Sequence, residues 1–169
     1  GAFRGVIRGI PAKPLQGKHV KVSVDVKTVD LKPVGDTKTG GKFMMTVRTP
    51  GETFYPQNNP VTGTNDWKNY SFEFTVPANG DKIDFCLGTE RGTGTILFRN
   101  LKVEVLADGN AHYFNSLNGE NSLQRWWVAP GTKAKAVAGT GIEITADKSA
   151  NGAFRGVIRG IPAKPLQGK

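Results

Sequence analysis

The residues best suited to chemistry are few. The chain has two histidines, His19 and His112, and one cysteine, Cys86. Neither histidine has a partner at metal-ligand spacing, and two scattered histidines do not make a Ser-His-Asp set. Cys86 lies inside Ile83-Asp84-Phe85-Cys86-Leu87, an alternating run, where a lone thiol reads as a small buried residue and not as a nucleophile. The carboxylates Asp84 and Glu90 have nothing in the sequence to set them apart from surface charge. Gly92-Thr93-Gly94 lacks the strand–turn–helix setting of a phosphate loop. These residues predict a protein that is not an enzyme and needs no cofactor.

Recognition chemistry is better represented. Sugars bind by stacking on aromatic faces while amides, guanidinium groups and carboxylates bond their hydroxyls. The long polar stretch 49–66 offers Tyr55, Gln57, Asn58 and Asn59, with Arg48 at its base. Arg91 and Glu90 in the Gly-Thr stretch 88–94, together with Trp127, complete the candidates. Long loops of this kind are often functional. Alternation buries one of Trp126 and Trp127 and exposes the other. Trp67 is expected to cap the core beside its strand.

The elements that must position these groups are strands. Val20, Val22, Val24 and Val26 alternate with Lys21, Ser23, Asp25 and Lys27, which puts one face in a core and one in water. Tyr70, Phe72, Phe74 and Val76 repeat the pattern, as do Ile83, Phe85 and Leu87. Ile96 and Phe98 alternate in one phase, and Leu101, Val103 and Val105 in the other. The slip at Arg99-Asn100 predicts a β-bulge. Residues 133–137 and 141–145 read as two short strands, and 107–122 as a linker or module start. No stretch keeps a helical period over ten residues. With 22 Gly and 10 Pro to supply turns, the pattern predicts an all-β jelly-roll sandwich of about eight or nine antiparallel strands.

One feature has no chemistry of its own. Residues 1–18 read GAFRGVIRGIPAKPLQGK, and residues 152–169 read the same. The unique sequence is therefore 151 residues, enough for one domain with a proper core. The first copy predicts a strand through Phe3, Val6, Ile7 and Ile10 that ends at Pro11. The second repeats it as Phe154, Val157, Ile158 and Ile161. A fold has one slot for a given strand, so one copy is spare or belongs to a neighbour. A tandem array cut in mid-repeat, a rearranged module, and a subunit that donates a strand to the next subunit all fit.

Composition excludes some partners. The chain is 37% hydrophobic and 22% charged, as folded proteins are. The net charge is +9, of which four belong to one copy of the repeat, leaving +5 on the unique sequence. No basic run is interleaved with aromatics, so nucleic acid is not expected. No run of 18 apolar residues exists, so no membrane span is expected. No basic-then-apolar start is visible, which for a fragment says nothing about export.

Read as a circle, the segments fall into a familiar order. Asn115-Ser116-Leu117-Asn118-Gly119 and Trp126-Trp127 open it. Leu166-Gln167-Gly168-Lys169 then precedes the alternating strand His19-Val20-Lys21-Val22-Ser23-Val24. Trp67-Lys68-Asn69-Tyr70-Ser71-Phe72-Glu73-Phe74-Thr75-Val76-Pro77 follows, and Ile96-Leu97-Phe98-Arg99-Asn100-Leu101-Lys102-Val103 closes it. In this order the chain resembles the jelly-roll carbohydrate-binding modules attached to bacterial xylanases and glucanases, whose relatives occur in phage tail proteins and adhesins. The resemblance covers most of the 151 residues. It implies a non-catalytic carbohydrate-binding or adhesin-like repeat of an extracellular or virion surface protein, with a polysaccharide or glycan as partner. The alternative is a structural repeat or filament subunit that self-associates head to tail through the duplicated strand. Residues 1–106 would form the larger part of one module, and 107–169 its opening strands in shifted order. Such modules often carry a structural calcium. Here Arg99-Asn100 replaces the usual acidic pair and the opening supplies only Glu120, beside Asn118 and Asn121, which argues against that ion.

Overall fold

Period-two valines organise the molecule. The computed structural model describes residues 3–33 and 39–147. Phe154, Val157, Ile158 and Ile161 lie outside the described residues. In chain order the strands are β1 Phe3–Ile10, β2 His19–Pro33, β3 Gly40–Arg48, β4 Thr53–Phe54, β5 Gly63–Thr75, β6 Lys82–Glu90, β7 Gly92–Val105, β8 Asn110–Asn115, β9 Trp127–Val128, β10 Lys133–Val137 and β11 Gly141–Ala146. A short 3-10 turn, Lys13–Leu15, follows β1.

The strands form two antiparallel sheets packed as a β-sandwich. One has five strands in the order β4-β3-β6-β1-β9, and the other six, with β10-β11-β7-β2-β5 in line and β8 also on β7. Val20, Val22, Val24 and Val26 are all buried, and they face the inner side of the five-stranded sheet, where Val6, Phe43, Phe85 and Leu87 meet them in one core. The chain passes between the sheets at a corner. β6 ends at Glu90, Arg91 adopts a left-handed φ of 48°, and β7 begins at Gly92.

The bulge expected at Arg99-Asn100 is present. Ser23 pairs with Lys102 but Asp25 pairs with Arg99, so β7 carries an extra residue there, and Asn100 has φ 57°. The bulge divides the outer edge of β7. Residues 94–98 pair with β11, and Leu101–Val105 pair with β8.

Among the described residues eleven strands stand where eight or nine were expected. β4 and β9 are two residues each and leave no period in a sequence. β8 lies in the stretch read as a linker. Its residues, Asn-Ala-His-Tyr-Phe-Asn, are mostly exposed and only Tyr113 packs on the core, so alternation gave no sign of it.

Stretch 49–66 is also more ordered than a loop. Val47 pairs with Phe54, and isolated bridges join Met44 to Gln57 and Gly41 to Val61. Residues 53–61 run antiparallel along β3 as an irregular edge strand, and 63–66 already belong to β5 of the other sheet. Pro56 and Pro60 lack the N–H that a regular ladder needs, which suits an edge.

Candidate functional site

The sugar-type residues are spread over the molecule. Arg48 stands opposite Lys82 at one end of β6, and Arg91 follows Glu90 at the other. The length of β6, roughly 26 Å at the usual strand rise, separates them. Trp127 lies on the far side of β1, packed against the cluster of Phe3, Ile7, Met44, Cys86 and Ala129. Its neighbour Trp126 is the buried member of the pair. Tyr55 is half exposed. Gln57 donates to the Tyr55 carbonyl at 3.1 Å and reaches the Met44 sulfur at 3.6 Å. Asn58 is buried, with Oδ1 accepting the Phe43 N–H at 2.9 Å and Nδ2 donating to the Asn59 carbonyl at 2.5 Å. Its amide therefore ties the edge segment to β3. Of the six residues, Tyr55, Gln57 and Asn58 share a segment, Arg48 pairs with Thr53 at its start, and Arg91 and Trp127 stand apart.

Trp67 corrects an expectation. It does not cap the core. Arg99 lies over its ring, with Cζ 3.9 Å from the centroid, on the outer face of the six-stranded sheet. Asp25 accepts from Asn69 at 3.0 Å and from Asn100 at 2.8 Å on the same face. The signal was available as parity. Tyr70, Phe72 and Phe74 are even-numbered and pack on the core, so an odd-numbered residue of that strand points outwards.

Two titratable groups sit on the outer face of the five-stranded sheet. Asp84 is buried, and its Oδ1 has no hydrogen-bond partner among the described residues. Burial pushes its carboxyl above the usual range, opposed by Lys82, Arg48 and a bond from Thr46. Burial, and then the Asp84 charge, push the Cys86 thiol well up, so it stays protonated and unreactive. The raised Asp84 means that ionisation destabilises the fold. The penalty is absent below pH 3.8, the ordinary carboxyl value, and grows until pH passes the folded-state value. Asp84→Asn is therefore expected to be more stable than the parent at neutral pH, and equal to it in acid. Urea melts across pH 3 to 8 test this. A variant less stable at pH 7 would show that the Lys82 and Arg48 attractions outweigh burial.

The best-built site is the slot that holds β1. On one side β1 pairs with β6 along its whole length, from Phe3 opposite Glu90 to Ile10 opposite Ile83. On the other, Val6 and Ile7 pair with Val128 and Trp127 of β9. The Gly5 N–H donates to Thr132 Oγ1 and its carbonyl accepts from the Ala129 N–H, both at 2.9 Å. Val6 faces the main core, while Phe3 and Ile7 join the cluster on the other face, so both faces of β1 bury apolar groups. Each such side chain contributes about 1.5–3 kcal/mol.

The slot selects its occupant by shape. Gly5 lies opposite Gly88. A Cβ on Gly88 would stand 2.1 Å from the Arg4 carbonyl oxygen, and one on Gly5 would stand 2.2 Å from the Leu87 carbonyl oxygen. The fit continues past the strand. Leu15 is buried, Gln16 Nε2 donates to the Gly80 carbonyl at 2.7 Å, and the Gly17 N–H donates to the Val76 carbonyl at 2.9 Å. The motif is thus held from Phe3 to Gly17, with Gly88 as the wall that admits only glycine. Sequence reasoning named Phe3, Val6, Ile7 and Ile10. It missed Gly88, whose role depends on a partner 83 residues away. No protein-family model matches the chain, and no curated protein matches it.

Proposed function

We propose that the chain is a structural repeat unit, and that the duplicated segment is the joint between one unit and the next. One observation carries this reading. The segment fits its slot along nearly its whole length, the described residues provide one such slot, and the sequence supplies the segment twice. Sugar binding gives no reason for a second copy, and in this geometry it would rest on Tyr55 and Gln57.

Counting strands favours a neighbour in the same chain over a separate molecule. Each 169-residue chain brings two copies of the segment and, among the described residues, one slot. Passing a strand between two such chains leaves the number of filled slots unchanged, yet costs the translational freedom of one partner. A strand on a short tether also acts at an effective concentration near millimolar. The isolated chain is therefore monomeric at micromolar concentration, and the joint acts within longer chains.

The test is a tandem chain in which residues 19–169 are repeated once after Lys169, giving three copies of the segment and two slots. It is expected to show two folded units, each as stable as the single unit, with the central segment resistant to protease. A second unit that stays unfolded, or a central segment cut as readily as an unfolded peptide, would remove the joint.

A further inference from the structure

We infer that either end of the chain can close the sandwich, residues 154–161 replacing Phe3–Ile10 in their own molecule. This rests on reading 152–169 as a joint. It adds that the joint can serve the unit before it as well as the unit after it.

The topology around the corner carries the inference. At the β6–β7 corner, β2 and β3 lie on one flank: Pro33 stands beside Gly92 and Gly40 beside Glu90, so the chain turns from one sheet to the other there. β11 and β1 lie on the other flank. Ala146 stands beside Gly94, and Phe3 beside Glu90. β1 also lies against β10 and β11. β11 runs towards the corner and β1 runs away from it. A chain leaving β11 thus meets the head of the slot already pointing along it.

The covalent length suffices. Asp147 to Phe154 is the same separation in sequence as Pro33 to Gly40, which spans the same corner. Seven residues reach roughly 23 Å when extended. Every group the slot uses is repeated at the same spacing, with Gly156 for Gly5, Val157 for Val6, Ile158 for Ile7, Leu166 for Leu15 and Gln167 for Gln16. The contacts are therefore the same for both occupants, and only the connections differ. The first copy joins β2 directly at Lys18–His19, whereas the second must close a loop, so the first copy leads.

The test uses the full chain. Val6→Asp and Gly5→Val disable the first copy, one through buried charge and the other through the Leu87 carbonyl. Val157→Asp and Gly156→Val disable the second. Each single variant is expected to keep a cooperative thermal transition, with Val157→Asp and Gly156→Val unshifted and Val6→Asp and Gly5→Val lowered by the loop. Each matched double variant is expected to lose the transition. Melting temperatures of Val6→Asp and Gly5→Val should not change over a hundredfold dilution. Single variants of the first copy that melt like the doubles would overturn the exchange, as would a melting temperature that rises with concentration, which would mean that a neighbour supplies the strand. Either failure leaves the tandem chain free to fold, so the joint is judged separately.

Discussion

Gly88→Val is expected to abolish cooperative folding, the largest effect of any substitution in the slot. Its Cβ would overlap the Arg4 carbonyl and lie 2.6 Å from Gly5 Cα, and backbone on both sides leaves no flexible side chain to yield. Overpacking of this kind costs on the order of 4 kcal/mol or more, a large share of a domain's stability. Gly88 occurs once in the chain, whereas Gly5 and Val6 are each duplicated, so no second copy can rescue the wall. Gly51→Ala is the matched control, because nothing lies within 4 Å of a Cβ there. Circular dichroism melts of the two variants decide the matter. A Gly88→Val protein that melts within a few degrees of the parent would mean that β1 is not needed for the fold.

Phe43→Ala should be the most costly truncation in the core. Phe43 is buried, lies opposite Leu87 of β6, and stacks on Phe72 across the sandwich with centroids 5.3 Å apart. Removing a buried phenyl ring costs about 3–5 kcal/mol, and the ring pair adds about 0.5–1.5 kcal/mol. The backbone N–H of Phe43 still bonds to Asn58, so the strand is kept and the loss is one of packing. Urea titration should show a lower midpoint with an unchanged slope. A loss under about 1 kcal/mol would mean that the two sheets close over the gap, since the cost depends on how far a site collapses.

The sandwich was legible because burial imposes period two. Val20 to Val26 and Tyr70 to Val76 announced their strands, and the phase change at Arg99-Asn100 announced the bulge. Where burial is one-sided or brief the signal fades. β8 shows only Tyr113 to the core, and stretch 53–61 is held to β3 by scattered bridges and one amide, neither of which leaves a period. The parity of Trp67 could have been read, but its size suggested the core more strongly than its position suggested the surface. The slot was half legible. The repeat marked its occupant, and the apolar residues marked the side chains that bury. The wall was hidden, because a glycine has no side chain to show a pattern and Gly88 matters only once Gly5 lies against it.

The register of β1 against β6 bears on how an array of such units would carry force. In such an array tension would enter a unit at Phe3 and leave it beyond Ala146, and both stand at the β6–β7 corner. A pull between two points at one end of the sandwich opens the β1–β6 ladder from Phe3, so its backbone bonds would be lost in turn and not together. The paired glycines bring the two backbones close at Gly5 and Gly88, and Phe3 folds over that contact. If the repeat is a joint, it would open from its Phe3 end under load, and the close glycine pair would be the first barrier to peeling.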